Sequence, residues 1–306
     1  MAAYVQRRLL QAIRGVFGVP LVVCFLARLA PGDPVDLMLP EDALPEQRVQ
    51  LRKDLGLDQP IPVQYAVFMQ HAVRGDFGRS LYYRKPVLPI ILQYLPNTVL
   101  LAVVSLSISL VVAIPVGILA AVKRDTIWDY AGTLIALFGQ SLPGYWLGLM
   151  LILVMAVWLR LLPTSGIGTP KHIVLPAVTL GAALMAIVMR LTRSGMLDVL
   201  SEDYVRTARA KGLAGWLVIS RHALKNTLIP LVTVVGLQLG GLLSGAVIVE
   251  TVFAWPGVGS VIITAIGARD YPLIQAGVLF ISVIFVFTNL AVDMLYAYLD
   301  PRIRYQ

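Results

Sequence analysis

Apolar residues occur in long uninterrupted stretches along the chain, separated by polar connections of uneven length. Six stretches reach or approach the roughly 20 residues that an α-helix needs to cross a bilayer core about 30 Å thick. They cover residues 9–30, 98–122, 131–159, 173–189, 228–249 and 273–292. The first holds Arg14 and Arg28 near its ends, where long side chains extend to the interface, and the other five hold no charged residue. The pattern predicts an all-α integral membrane protein with six transmembrane helices.

The first stretch has a second interpretation as a cleaved signal peptide, because Arg7 and Arg8 precede an apolar run of suitable length. Cleavage after Ala30 would require a small residue two positions earlier, where Arg28 stands. We therefore interpret residues 9–30 as an uncleaved first span.

The third stretch, about 43 Å long as a helix, is interrupted near its centre by Pro143 and a glycine. Proline removes a backbone hydrogen bond and kinks a helix, and such breaks are tolerated where backbone is buried in protein or lines a wet cavity. One interpretation is a kink that lines a substrate pathway, with Gln140 and Ser141 near the substrate. The other is a packing kink in a long tilted helix.

The fifth stretch offers two similar alternatives. Its glycines at positions 236, 240, 241 and 245 are spaced four apart, which favours close packing of helices. If the helix is instead central to a route through the bundle, Gln238 and Ser244 would line that route.

The polar segments divide a single transmembrane domain, residues 1–306, into recognisable parts. The first span, 9–30, is followed by an outer segment, 31–97, in which residues 46–55 and 63–73 are predicted to form short amphipathic helices. A core of five spans, 98–292, includes an inner loop at 190–227, and a tail at 293–306 ends the chain. The outer segments 31–97 and 250–272 are expected to contact a partner outside or shape an outer gate; the alternative is that they only cap the bundle.

The composition excludes several classes of protein. Hydrophobic residues make up 58% of the chain, charged residues 14%, and the mean hydropathy is +0.79. A soluble domain carries about 45–50% apolar and about 25% charged residues, so a soluble enzyme and a disordered protein are excluded. One cysteine and three histidines far apart in sequence exclude a disulfide scaffold and disfavour a metal centre.

A net charge of +8 is compatible with a nucleic-acid partner. The positions of the charged residues along the chain decide between that interpretation and membrane topology. If the N-terminus is cytoplasmic, six spans return the C-terminus to the cytoplasm. The inner side then holds thirteen basic and seven acidic residues, whereas ten of each sign lie outside. This is the positive-inside pattern, so membrane topology accounts for the charge and no nucleic acid is needed.

The chain lacks the motifs of the common catalytic sites. None of its six lysines is followed by Ser or Thr, so it has no P-loop for ATP, and it has no H-E-x-x-H, C-x-x-C or G-x-S-x-G motif. A membrane-embedded hydrolase would need a catalytic pair within the spans, and His71, His172 and His222 all lie in connections. An ion-coupled secondary transporter would need acids near the midplane; Glu250 and Asp293 lie at span ends, which is more typical of interfacial groups than of ion ligands.

The inner loop contains DYVRTARAKGL from Asp203 and RHALKN from Arg221. These strings resemble the cytoplasmic EAA loop of ABC importer permeases, and more narrowly the first-type subunit of the dipeptide/oligopeptide/nickel permease family. Arg206 stands where many importers have glutamate, and Lys225 where many have proline. Further strings follow the family pattern in order: RLAPGDP from Arg28, LGLD from Leu55, GDFG from Gly75, LPNT from Leu95, ETVF from Glu250, WPG from Trp255, RDYP from Arg269 and DPRIR from Asp300.

The resemblance implies a type I ABC importer permease fold with cytoplasmic N- and C-termini, in a bacterial inner membrane. It implies a non-catalytic subunit without a cofactor of its own, since ATP and Mg²⁺ belong to partner ATPase subunits. The expected partners are a homologous second permease, two ATP-binding cassette subunits, a solute-binding protein outside and membrane lipid. Di- or oligopeptides are the default cargo, with nickel chelates, glutathione, opines and sugars as alternatives within the family.

In the family, the EAA loop forms a short coupling helix that docks in a cleft on the ATPase. An ordinary basic loop made positive by topology alone is the alternative. The resemblance assigns ATPase coupling to Asp203, Tyr204, Arg206, Thr207, Ala208, Arg209, Lys211 and Gly212. The translocation pathway is assigned to Gln140, Ser141, Pro143, Gln238 and Ser244.

Overall fold

A computed structural model describes residues 15–26, 35, 39, 44–54 and 56–299 of the chain. Regular structure in these ranges is helical apart from an isolated antiparallel bridge between Arg79 and Pro86, which agrees with the predicted all-α class. The chain divides into two compact units. Unit 1 comprises Met1–Thr98 and Pro256–Phe287, and unit 2 comprises Val99–Trp255 and Thr288–Gln306.

The helices are numbered in chain order. They are α1 Gly15–Leu26, α2 Pro45–Asp54, α3 Ile61–Val73, α4 Val87–Val122, α5 Ile127–Ser141, α6 Gly144–Leu151, α7 Val174–Leu200, α8 Asp203–Ala210, α9 Leu224–Val252, α10 Val258–Gly267 and α11 Tyr271–Leu299. A π-helical segment, Ile152–Trp158, continues α6, and another, Val218–Ala223, leads into α9. A 3-10 turn, Pro170–Ile173, precedes α7. Helices α2 and α3 lie where two short helices are predicted.

The core of unit 1 forms where the start of α4 packs against α10 and the start of α11. Val87, Ile90 and Ile91 of α4 are buried there with Ile262 of α10. Helix α4 therefore begins at Val87, eleven residues before residue 98, where the second span was predicted to start. Pro89 does not prevent it, because a proline in the first turn of a helix costs no helical hydrogen bond. The apolar pattern predicts no helix within residues 250–272, yet α10 lies there, too short to span a membrane.

Asp270 is a buried polar centre of unit 1. Its carboxylate accepts hydrogen bonds from the hydroxyl of Ser80 and from the backbone N–H groups of Tyr82 (3.1 Å) and Leu273 (3.3 Å). The hydroxyl of Ser80 in turn accepts a hydrogen bond from the N–H of Tyr83 (2.9 Å). Burial raises the pKa of the Tyr83 hydroxyl above its ordinary range. One carboxylate thus caps the first turn of α11 and holds the loop that precedes α4.

Helix α7 is the central element of unit 2 and packs against α5, α6 and α9. Its buried positions run from Leu175 to Met196, and Phe253 and Trp255 join the same core after α9. The sequence analysis ends this span at residue 189, directly before Arg190. The helix instead continues to Leu200, because Thr192 and Met196 are still buried.

The third apolar stretch folds as two helices rather than as one kinked span. Helix α5 ends at Ser141, α6 begins at Gly144, and the two axes differ by 112°. Leu142 and Pro143 adopt extended conformations, with ψ of 134° and 132°, so the chain turns between the helices. The predicted proline kink within a continuous helix is therefore corrected to a full break.

Several helices of the described residues have the length and composition of membrane spans. Within residues 15–26, 44–54 and 56–299, four helices are long and apolar enough to cross a membrane, or five if α5 and the extended α6 form one span. Helix α1 covers the middle of the predicted first span, and residues 9–14, 27–30 and 300–306 lie outside the described residues. Six spans and cytoplasmic termini therefore stay predictions.

Two glycines allow close contacts within unit 2. A Cβ at Gly181 of α7 would lie 2.8 Å from the backbone carbonyl oxygen of Ser105 in α4, and one at Gly236 of α9 would overlap the side chain of Val292. By contrast, a Cβ at Gly241 of α9 would meet nothing within 4 Å. Close packing therefore explains Gly236, whereas Gly241 faces open space.

We expect Gly181→Ala to lower the stability of the protein by about 1–3 kcal/mol, because the methyl group would press on backbone that cannot rotate away. The matched variant Gly241→Ala has room for the methyl group and gains up to about 1 kcal/mol of helix propensity. Thermal unfolding of the purified protein measures both. Equal unfolding temperatures for the two variants would contradict the predicted close contact.

Candidate functional site

Helix α8 is a short amphipathic helix, and two residues separate it from the end of α7. Val205 and Ala208, on one face, are buried with Val218 of the following π-helical segment. Leu200, at the end of α7, is partly buried and packs against this cluster. The apolar face therefore seats α8 on the protein, although the helix is only eight residues long.

Most of the predicted coupling residues lie on the exposed side of this helix. Ala208 is the exception, because its side chain faces the protein and helps to seat the helix. The exposed members are Asp203, Tyr204, Arg206, Thr207, Arg209, Lys211 and Gly212. The residues that the sequence analysis grouped together therefore have two different environments. Ala208 makes an apolar contact that holds the helix, and the other seven form a mainly polar, exposed surface.

Tyr204 ties α8 to the segment that leads into α9. The side-chain amide of Asn226 donates a hydrogen bond to the Tyr204 hydroxyl (2.7 Å), and that hydroxyl lies 3.5 Å from the carbonyl oxygen of His222. Asp203 and Arg206 form an exposed ion pair at 3.5 Å, which contributes little to stability. Tyr204 thus supplies a specific polar attachment, and the charges of α8 remain solvent-exposed.

Gly212 ends α8 in a left-handed conformation, with φ of +77°. The N–H of Gly212 donates to the carbonyl of Arg209 (3.0 Å) and the N–H of Leu213 donates to the carbonyl of Ala208 (3.4 Å), which is the Schellman pattern. A Cβ at Gly212 would meet nothing within 4 Å. The requirement for glycine is therefore the backbone conformation, since the space around it is open.

An ion pair that the sequence analysis missed connects α5 to α7 in the same unit. Arg193 donates two hydrogen bonds to Asp129, Nε to Oδ1 at 2.5 Å and Nη2 to Oδ2 at 2.7 Å. The Asp129 side chain is 4% exposed and that of Arg193 31%. Asp129 also accepts a hydrogen bond from the N–H of Asp125 (3.1 Å), whose φ is +60°. The pair fixes the turn between α4 and α5 to the helix that leads into α8.

The break between α5 and α6 borders a cavity of about 340 Å³ whose walls come from α5, α6, α7 and α9. Gln238 is one of the few polar side chains in its lining, together with Tyr145 and Thr179, and Gly241 opens onto it. The other predicted pathway residues do not line this cavity; Gln140, Ser141, Pro143 and Ser244 are exposed elsewhere on the surface.

The titratable residues that the structure describes form no cluster suited to a metal ion. No group of three or more His, Cys, Asp or Glu side chains suited to a metal ion occurs in the part of the chain that the structure describes. Glu250, predicted to lie at a span end, is in the last turn of α9 and is fully buried there.

Comparison with known proteins agrees with the motif resemblance. The family described as binding-protein-dependent transport system inner membrane component matches residues 113–305, and the N-terminal model of such membrane components matches residues 1–102. The dipeptide transport system permease protein DppB of Alkalihalophilus pseudofirmus is 42% identical over 333 residues, and the glutathione transport system permease protein GsiC of Salmonella choleraesuis is 42% identical over 306. Both alignments cover all of this chain and all of the relative.

A solved structure of the MetNI methionine ABC transporter, in inward-facing conformations, contains a chain with the same fold. The TM-score is 0.56 at 22% identity, over 69% of this chain and 96% of that one. The chain therefore belongs to the family of binding-protein-dependent transport system inner membrane components. It is a multi-pass inner-membrane permease subunit of an ABC importer, and such subunits work with ATPase and binding-protein subunits.

We expect Asp129→Asn to destabilise the protein by about 2–3 kcal/mol, because it leaves the half-buried Arg193 without its counter-charge. The double variant Asp129→Asn/Arg193→Gln should lose less than the sum of the two single changes. The control Asp203→Asn breaks an exposed pair and should leave the unfolding midpoint unchanged. A double-mutant cycle on thermal unfolding measures the coupling, and strictly additive effects would refute it.

Proposed function

We propose that this permease pairs with a homologous second permease, and that the two form the translocation pathway of an importer for di- or oligopeptides or related small solutes. Two ATP-binding cassette subunits would drive it from the cytoplasm, and a solute-binding protein would deliver the cargo from outside. The relatives support this cargo class, because they are a dipeptide permease and a permease for glutathione, itself a small peptide. Family membership does not favour the ion-coupled alternative.

The coupling element in this proposal is α8 with the turn that follows it. The observation that carries the assignment is the division of its faces: Val205 and Ala208 hold the helix, while Arg206, Arg209 and Lys211 are exposed. A fold does not need three exposed cations on an eight-residue helix and its cap, but a cleft on a partner subunit can use them. The proposed contact residues are Asp203, Tyr204, Arg206, Thr207, Arg209, Lys211 and Gly212, with Ala208 as a seating residue.

Movement of α8 would reach the pathway through α7. Only two residues separate α7 from α8, and the Asp129–Arg193 pair connects α7 to the start of α5. Because α5 ends at the break that borders the cavity, a displacement of α8 by the ATPase would be transmitted to the cavity walls. An ATP-driven shift between outward- and inward-open states requires contacts that differ between the two states, and α8 is the proposed location of those contacts.

The pathway assignment rests on the helix break. An irregular backbone at membrane depth is tolerated where protein buries it or where it lines a water-filled cavity. Gln238 in the cavity lining is the strongest candidate for a polar contact with the cargo. Gln140, Ser141, Pro143 and Ser244 are exposed, and we propose that they face the second permease across the pathway.

The proposed topology has six spans, both termini in the cytoplasm, and residues 31–97 outside. Single cysteines at Gln47 and at Asp198, in a Cys24→Ala background, should react with a membrane-impermeant thiol reagent from opposite faces of the membrane. Both positions are exposed. Because Cys24→Ala removes the single cysteine of the chain, the background variant should stay unlabelled. Labelling of both cysteines from one face would contradict the topology.

The proposed coupling role predicts a specific effect of substitutions at Gly212. Gly212→Val should reduce uptake and substrate-stimulated ATPase activity of the reconstituted complex by about tenfold or more, because a β-branched residue rarely adopts φ of +77°. Gly212→Asn should retain activity within about twofold, since asparagine tolerates the left-handed region and the space around Cβ is open.

Assembly is monitored in parallel, because only a complex that contains all its subunits tests coupling. If the Gly212→Val complex assembles and transports at the parent rate, α8 is not the coupling element. If valine and asparagine are equally harmful, the backbone conformation is not the reason for the glycine.

A further inference from the structure

A second cavity of unit 2, of about 320 Å³, lies beside α8 and is separate from the cavity at the helix break. The end of α4, the end of α7, α8 and the π-helical segment before α9 all contribute to it. Its lining consists of Ala121, Val122, Arg124, Leu197, Leu200, Ser201, Arg209 and Ile219.

The lining combines two kinds of surface. Five of the eight side chains are apolar, and they come from α4, α7 and the π-helical segment. The other three are polar, and two of these are the arginines Arg124 and Arg209. A small soluble anion would use only the polar part of such a cavity, whereas an amphiphile with an anionic head would use both.

The charges at the cavity are predominantly positive. Arg124 lies 3.3 Å from a carboxylate oxygen of Asp125, but both side chains are more than 60% exposed, so this pair is weak. Arg209 forms no ion pair with a carboxylate among the residues that the structure describes. The nearby Asp129 is engaged by Arg193. Two guanidinium groups are therefore available to one anionic ligand.

The neighbouring sequence puts this cavity at the level of the membrane interface. The apolar run of α4 ends at Val122, which lines the cavity, and Arg124 follows two residues later, after Lys123. Trp128 and Tyr130, in the first turn of α5, are 58% and 59% exposed. Exposed Trp and Tyr side chains at the end of an apolar helix are typical of the headgroup region.

We propose that the cavity binds an anionic phospholipid, with the headgroup phosphate between Arg124 and Arg209 and the start of the acyl chains against Leu197, Leu200 and Ile219. Guanidinium groups bind phosphate through paired hydrogen bonds, and basic pockets between membrane helices bind lipid headgroups. The lipid belongs to the leaflet on the side of α8, which is cytoplasmic in the proposed topology. Since Arg209 lies on α8 and Arg124 follows α4, the bound lipid bridges the coupling helix to the bundle.

Native mass spectrometry of the delipidated transporter complex, titrated with phosphatidylglycerol or phosphatidylcholine, tests the proposal. The parent should prefer phosphatidylglycerol, and Arg124→Gln/Arg209→Gln should reduce this preference by about tenfold. The matched control Lys123→Gln/Arg206→Gln removes two positive charges at neighbouring positions that do not line the cavity, and should keep the preference. Arg124→Lys/Arg209→Lys should keep most of it, because the charge remains.

A fourth variant distinguishes binding of a lipid from binding of free phosphate. Leu197→Trp fills the apolar part of the cavity and leaves both arginines in place, so it should weaken lipid binding even if the arginine variants fail to fold. Displacement of phosphatidylglycerol by inorganic phosphate, with no effect of Leu197→Trp, would identify a soluble-anion site and overturn the proposal. An equal loss of the lipid preference in the arginine variant and its control would also overturn the proposal, because overall positive charge and not the cavity would then set the preference.

Discussion

The bidentate ion pair between Asp129 and Arg193 is the interaction on which the functional part of unit 2 depends. It joins the first turn of α5 to α7, and through the N–H of Asp125 it also fixes the turn after α4. In the proposed coupling role of α8, the pair would add a polar connection between α7 and the start of α5 to the apolar packing of these helices. The pair is favourable because both carboxylate oxygens and two guanidinium nitrogens are satisfied together, which compensates for the loss of hydration.

The helical class and the approximate positions of the long helices follow from the hydrophobic pattern, but their ends do not. In the analysis of apolar runs, charged residues mark the ends of most spans. In the structure α7 continues past Arg190 to Leu200, because Thr192 and Met196 still have buried sites beyond it. Pro89 similarly lies inside α4, since a proline in a first turn removes no helical bond. Helix ends depend on tertiary burial, which a local pattern does not contain.

The candidate site, like the fold, could be predicted from the sequence only in part. The inner loop is recognisable from its motif, and the structure adds the reason for Gly212, a left-handed backbone conformation with open space around it. The Asp129–Arg193 pair was not predicted, because its members are 64 positions apart and each resembles an ordinary interfacial charge. The 112° break after Ser141 was also missed, since a proline–glycine pair indicates an interruption but not its angle.

Four of the family strings outside the inner loop, or residues just after them, are joined by hydrogen bonds in the structure. The side-chain amide of Asn97 donates to the carbonyl of Pro256 (2.8 Å), and the N–H of Val258 donates to the Thr98 hydroxyl (2.9 Å), so LPNT and WPG hold each other. Likewise, the carboxylate of Asp270, in the string RDYP, accepts a hydrogen bond from the hydroxyl of Ser80, which lies two residues after the string GDFG. The string on α8 differs: its apolar members and Tyr204 suffice to seat the helix, and its cations are left exposed. These exposed cations are the basis of the proposed contact with an ATPase subunit.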